Sequence, residues 1–309
     1  MNISLPLSTN NSALKSGLIL LSLFLCTFIL KAQESTKLDV SMSWKKSGEE
    51  LNFVEDAKGD LFSKLAHHGP AVENLWLAYR VYFNKSTSVD ILSKFQPRLE
   101  LKTSHWYPKK NNCPEDYGTD NYNVGSSVGL GGIKLYDPET GLQYLNPVKN
   151  RTAQVVLEKD SAQIIMTSYG VPYLDYEVDI EFTLTTYANS RHAKIEVKEL
   201  NGKALQFATG LAIHSKLESK QEANYMLTWG DYNSHAKYAN FNIGAALIYN
   251  PQDFESELSF ENEQLLISKA CSSLSYYISA CNDKEQSELN SLTSFENYLK
   301  SLSQSLIAK

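Results

Sequence analysis

Polar and apolar residues alternate along much of this chain. Tyr176 to Thr186 reads YEVDIEFTLTT, and Ala193 to Lys198 and Arg98 to Lys102 repeat the same two-residue period. A period of two puts one face of a strand in a core and the other in water. Tyr79 to Phe83 is β-branched and aromatic, which also predicts a strand. Turn formers separate these runs: Asn84-Lys85-Ser86, Asp137-Pro138-Glu139-Thr140-Gly141, Asn201-Gly202 and Asn250-Pro251. Glu196 to Leu205 reads as a hairpin closing on Asn201-Gly202. The C-terminus breaks the pattern. Leu289, Leu292, Phe295, Leu299, Leu302 and Leu306 recur every three or four residues, so an amphipathic helix is expected over about 285–307. Many short strands and one helix predict an all-β fold, a large antiparallel β-sandwich with the helix packed on its body.

The first 32 residues follow a different rule. Lys15 precedes an apolar run from Leu18 to Leu30, and Lys31-Ala32 follows it. This is the pattern of a secretory signal peptide cleaved near Ala32, and the run is too short for a comfortable membrane span. The expected mature chain, 33–309, is a single domain without an integral membrane span, periplasmic or secreted. It keeps 27 of the 29 basic residues and all 35 acidic ones, a net charge of −8. That balance excludes a basic nucleic-acid footprint. It also means that an anionic ligand needs a local cluster of cations to override the global field. Cys113, Cys271 and Cys281 remain after cleavage. Cys271 and Cys281 flank a strand-like stretch and are candidates for a disulfide in an oxidising compartment.

Candidate chemistry concentrates between Leu65 and Phe83, LAHHGPAVENLWLAYRVYF. His67 and His68 sit at a turn before Gly69-Pro70, and Glu73, Asn74 and Arg80 follow. Histidine titrates near neutrality and is the usual general base. Arginine grips a carboxylate with two hydrogen bonds. His105, Trp106 and Tyr107 form an aromatic cluster suited to stacking on a sugar ring. Asp116 to Gly125 leads into a Gly-rich stretch that is not a phosphate loop, because no Gly-Lys-Ser or Gly-Lys-Thr follows. Asp116 and Asp120 are candidates for a divalent cation, without EF-hand spacing. No cofactor is otherwise implied. Asp175, Tyr176, His214 and Trp229 complete the set of polar and aromatic candidates.

The segments AVENLWLAYRVYF, DYGTDNYNVGSSVGLGG, FATGLAIHSK and LTWGD, in that order, resemble an exported bacterial family classed as a domain of unknown function, DUF4861. The resemblance spans roughly residues 50–250 and is nearest, through HHGPAVEN, to members that act as ulvan oligosaccharide dehydratases. Where many members carry a His- and Asp-rich run, this chain has Asn112-Cys113-Pro114-Glu115. The expected form is then a galactose-mutarotase-like supersandwich. The implied reaction removes water from a uronic acid at the non-reducing end and leaves a 4,5-unsaturated sugar. Chemistry assigns His68 or His67 as base, Tyr176 or Tyr122 as acid and Arg80 as carboxylate clamp. Glu73, Asn74, His105, Trp106, Tyr107, Asp175, His214 and Trp229 are then substrate contacts. The alternatives are a polysaccharide lyase on uronate glycans and a non-catalytic carbohydrate-binding sandwich. The expected partner is an acidic oligosaccharide, with homodimerisation left open.

Overall fold

The computed structural model describes residues 37–103, 116–118, 120–232 and 241–307. The leader, the aromatic cluster of His105, Trp106 and Tyr107, and Cys113 lie outside them. In chain order the strands are β1 (Leu38–Ser41), β2 (Phe53–Asp56), β3 (Ala71–Asn74), β4 (Leu77–Val81), β5 (Val89–Ser93) and β6 (Leu130–Asp137). Then come β7 (Gly141–Gln143), β8 (Asn150–Leu157), β9 (Ser161–Tyr173), β10 (Tyr176–Tyr187), β11 (His192–Glu199) and β12 (Gln206–Ala212). The last six are β13 (Glu218–Glu222), β14 (Tyr225–Gly230), β15 (Ile243–Ile248), β16 (Phe254–Ser259), β17 (Glu263–Ser268) and β18 (Ser273–Asn282), followed by the helix α1 (Leu292–Ile307).

Three antiparallel sheets result. One has nine strands in the order β13-β14-β15-β18-β11-β10-β9-β8-β2. The others are β1-β3-β4-β5 and β16-β17-β12-β6-β7. The two smaller sheets pack on the large one, β1 and β3 against β8 to β10, and β6 and β12 against β15 and β18. Alternation explains which side faces in. On β10, Val178, Ile180, Phe182 and Leu184 are buried, and on β11 so are Ala193, Ile195 and Val197. These side chains join Tyr79, Val81, Ile133 and Phe207 of the smaller sheets in one core. The all-β expectation, an antiparallel sandwich with a C-terminal helix, is met. Among the described residues, an isolated bridge, Val89 to Gly129, pairs the two smaller sheets. Gly129 has φ of 70°, and a Cβ there would stand 2.0 Å from the Val89 carbonyl oxygen. Only glycine permits that approach without displacing the backbone.

The helix covers the outer face of β14 and β15. Phe295 and Leu299 are buried against Tyr225, Leu227, Trp229 and Ile248. It starts at Leu292, later than the apolar stripe suggested. Ser291 caps it: its hydroxyl accepts from the Ser294 amide at 3.2 Å, and the Ser294 hydroxyl accepts from the Ser291 amide at 3.2 Å. The residues before it serve a different contact, with the Glu285 carboxylate paired to Arg191.

Three further expectations are corrected. Arg98 to Lys102 alternates but forms no strand. The amides of Glu100 and Leu101 donate instead to the buried Glu73 carboxylate, at 2.9 and 2.8 Å. Glu196 to Leu205 is not a hairpin. β11 belongs to the nine-stranded sheet and β12 to the five-stranded one. The Glu199 carboxylate takes the amides of Asn201 and Lys203, at 2.9 and 2.7 Å, and turns the chain from one layer to the other. Cys271 and Cys281 are both free thiols. Extended backbone rising about 3.3 Å per residue separates them by roughly 30 Å, far beyond the span a disulfide bridges.

Candidate functional site

The histidine pair is held in an uncommon backbone conformation. Ala66–His68 forms a 3-10 turn in which His67 has φ of 55° and His68 φ of 63°. Left-handed backbone costs a non-glycine residue about 1–3 kcal/mol, and such residues concentrate at functional sites. Neighbouring contacts enforce it. The Phe83 amide donates to the His68 carbonyl at 3.0 Å. Gly69 lies flat on β4, where a Cβ would come within 2.0 Å of the Val81 carbonyl oxygen.

His68 is half-buried and its orientation is fixed. Its ring stacks on Phe62, with centroids 4.1 Å apart and planes 13° apart. Its Nδ1 lies 2.9 Å from the Phe62 carbonyl oxygen. A carbonyl only accepts, so Nδ1 carries the hydrogen and the lone pair of the neutral ring is at Nε2. Loss of solvent lowers the His68 pKa, the Phe62 hydrogen bond opposes that, and the Arg80 charge adds to the lowering. His67 is pushed down to about 4, first by loss of solvent, then by Arg80 and His68. Both imidazoles are therefore neutral at neutral pH.

Arg80 on β4 and Tyr82 just past its end share a side of the chain, because alternate residues share a face, and the Tyr82 ring also packs against the margin of the core. The β4–β5 register sets Asp90 directly opposite Arg80. Arg80 Nε donates to Asp90 Oδ2 at 3.0 Å, and a second guanidinium nitrogen donates to the same oxygen. That second nitrogen also donates to Asp120 at 2.9 Å and to the Tyr82 hydroxyl at 3.2 Å. The Tyr82 hydroxyl in turn donates to Asp90 at 2.6 Å. Loss of solvent and then the Asp90 charge push the Tyr82 pKa well above the ordinary phenol range, so the phenol keeps its proton. Tyr82 and His68 meet edge to face, with ring centroids 6.3 Å apart. One guanidinium faces two carboxylates here. Arg80 is thus an anchor already in use, and the cluster carries no surplus positive charge for a substrate.

The loop after Asp120 leads into a second set of groups. The Asp90 charge reaches the Tyr122 phenol, which burial raises well above its ordinary pKa. Tyr122 lies on Tyr232, ring centroids 4.5 Å apart, and Tyr232 bonds to Thr228. His214 packs edge-on against Tyr232 and its Nε2 donates to the Asn123 carbonyl at 2.7 Å. Tyr122 is 2% exposed, which puts its hydroxyl behind the reach of a ligand in this conformation.

Other candidates lie elsewhere. Glu73 is fully buried, bound to Lys94 and to two amides, and belongs to the framework. Asn74 spends its side chain on Thr186, on the Ser190 carbonyl and on the amides of Trp76 and Leu77. Tyr176 and Asp175 sit at the β9–β10 turn. Tyr173, beside Tyr176, donates to the Tyr136 carbonyl near the end of β6. Gly129, which meets Val89 next to Asp90, precedes the other end of β6, so roughly 20 Å of strand separates the two regions. Trp229 packs under α1 with Phe295, whereas its neighbour Thr228 faces Tyr232. Asp116 and Asp120, the cation candidates, are each paired with an arginine, Arg98 and Arg80. Among the described residues no group of three or more His, Cys, Asp or Glu side chains is placed to hold a metal ion.

Sequence reasoning missed Tyr82, Asp90 and Phe62. Asp90 lies among apolar neighbours in SVDILS, and its role shows only once β4 and β5 are set in register.

Comparison with solved structures gives distant likenesses. One is a putative aldose 1-epimerase from Klebsiella pneumoniae, 6% identical, covering 87% of this chain and 95% of that one with a TM-score of 0.37. Another is a 4-alpha-glucanotransferase from Thermococcus litoralis, 10% identical with a TM-score of 0.35 over 69% of this chain. The match spans 37% of that enzyme's chain. No curated protein matches the sequence. The family model for the domain of unknown function DUF4861 matches residues 30–309, and the chain belongs to that family.

Proposed function

We propose that this protein is a carbohydrate dehydratase, eliminating water from a uronic acid at the non-reducing end of an acidic, ulvan-type oligosaccharide. The observation that carries the reading is the His68–Tyr82 pair. A neutral imidazole with its lone pair directed to Nε2 stands beside a protonated phenol whose oxygen is held by a guanidinium. Elimination needs a base and an acid of these kinds.

His68 Nε2 takes the proton from the carbon that bears the carboxylate. The bond from the adjacent carbon to its hydroxyl breaks, and the Tyr82 phenol turns its hydrogen from Asp90 to the departing oxygen and donates it, so that the group leaves as water. The electron pair of the broken C–H bond becomes the new double bond. Arg80, which donates to the phenol oxygen, would offset part of the Asp90 charge that disfavours the phenolate. A proton then passes from the imidazolium back to the phenolate through solvent, restoring both groups. Arg80 acts in this scheme as a positioning residue for Asp90, Asp120 and Tyr82, rather than as a clamp for the substrate carboxylate.

The test is incubation with ulvan-type oligosaccharides, read by the ultraviolet absorbance of the conjugated alkene and by product mass. A dehydratase yields a product one water lighter at unchanged chain length. Shorter unsaturated products make the protein a polysaccharide lyase. Binding with no new absorbance makes it a carbohydrate-binding module.

A further inference from the structure

The elimination requires a cation for the substrate carboxylate, and Arg80 is already matched by two aspartates. A lysine-lined surface lies beside the histidine turn. Trp44, Lys45, Lys46, Ser47, Ser63 and Lys64 line a groove of about 670 Å³. Its two walls are locked together by backbone pairing. Trp44 bridges to Leu65, the Lys45 amide donates to the Lys64 carbonyl at 2.9 Å, and the Ala66 amide donates to the Ser43 carbonyl at 2.9 Å. The second wall runs directly into the turn: Lys64 is followed by Leu65, Ala66, His67 and His68. The Lys45 charge is close enough to lower the pKa of His68.

Three lysines meet in this groove. The whole chain is acidic, with a formal net charge of −6. Lys102, Lys134, Lys149, Lys194, Lys220 and Lys300 all pair with carboxylates. Among the described residues, Lys45, Lys46 and Lys64 make no ion pair, as is also true of the exposed Lys58, Lys85, Lys159 and Lys269; what marks these three is that they line one depression beside Trp44. Three unmatched ammonium groups around an aromatic residue in a concave surface fit an anionic sugar, with the indole against its apolar side and the lysines toward its charges. A neutral glycan would offer the lysines hydroxyl acceptors but no charge to match.

We propose that the groove formed by Trp44, Lys45, Lys46 and Lys64 is the anion-recognising subsite for an acidic oligosaccharide whose end residue reaches the histidine turn. This rests on the carbohydrate-dehydratase reading for its ligand class. The recognised charge is a uronate carboxylate or a sulfate ester.

The test is binding of three probes, a sulfated ulvan tetrasaccharide, its desulfated form and a neutral cello-oligosaccharide, measured by calorimetry. The proteins are the wild type, the triple variant Lys45→Ala/Lys46→Ala/Lys64→Ala and the milder Lys45→Gln, with circular dichroism as a check on folding. The wild type is expected to bind the charged probes and not the neutral one. The triple variant is expected to lose about tenfold or more in affinity, with a smaller loss for Lys45→Gln and a flatter salt dependence for both. A loss that persists with the desulfated probe assigns the carboxylate, and a loss confined to the sulfated probe assigns the ester. Wild-type affinity in a folded triple variant overturns the proposal, as does failure of the wild type to bind either charged probe. Turnover separates the two readings. Groove-dependent binding without a lighter product removes the dehydratase and keeps the subsite. Turnover with unchanged KM in the triple variant does the reverse.

Discussion

The four-stranded sheet carries two buried ionic clusters that look alike in sequence and differ in construction. Around Glu73, the partners are mostly backbone: Lys94 donates to the carbonyls of Asn74 and Arg98, and Glu73 accepts the amides of Glu100 and Leu101. Around Arg80, the partners are side chains, Asp90, Asp120 and Tyr82, and neutral imidazoles stand nearby. The first arrangement fixes a loop that has no strand neighbour. The second places strain and burial on the groups that the proposed elimination would use to hold or move protons. The kind of partner, more than the presence of charge, separates framework from chemistry.

The sharpest break of that contrast comes from Glu73→Gln. It leaves the Lys94 ammonium buried without its counter-charge and is expected to cost about 3–5 kcal/mol in denaturant unfolding. A cost under about 1 kcal/mol removes the framework role. Next is His68→Asn, chosen because asparagine tolerates a positive φ. Turnover on ulvan-type oligosaccharide is expected to fall at least about a hundredfold, with stability changed by less than about 1 kcal/mol. If that variant instead unfolds as Glu73→Gln does, the two clusters are of one kind.

The third prediction concerns acid. The folded pKa of His67 is depressed from 6.5 to about 4, so between those values the unfolded chain binds more protons. The stability this residue contributes is complete above pH 6.5 and is lost as pH falls toward 4. Its share is about 2 kcal/mol after allowing for partial exposure, and His67→Asn is expected to flatten that acid limb of the unfolding midpoint. An unchanged acid limb in the variant rejects the assignment. The smallest effect is Tyr176→Phe, which is expected to leave turnover within about twofold because the phenol lies along β6 from the site. A hundredfold loss there would move the acid to the β9–β10 turn.

The strands β10 and β11 were legible because each has one wet face, so the period survives in the residues. β4 and β5 are buried on both faces, and alternation there vanishes. Arg98 to Lys102 shows the opposite failure, an alternating run whose amides were claimed by a distant carboxylate. The histidine turn and Arg80 stood out by residue type. Asp90 and Tyr82 did not, because what gives them a role is a cross-strand register and a shared face. The lysines of the groove come from two segments separated by β2, and no local pattern unites them.

The Val89–Gly129 bridge makes the site's position mechanical as well as chemical. Among the described residues, one isolated bridge pairs the backbone of the plate that bears Arg80 with that of the plate that follows Asp120 and Tyr122. Amides along this seam should exchange with solvent sooner than those of β9 to β11, which have neighbours on both sides. A ligand touching both plates would staple the joint, and slowed exchange there would report its arrival before any product forms.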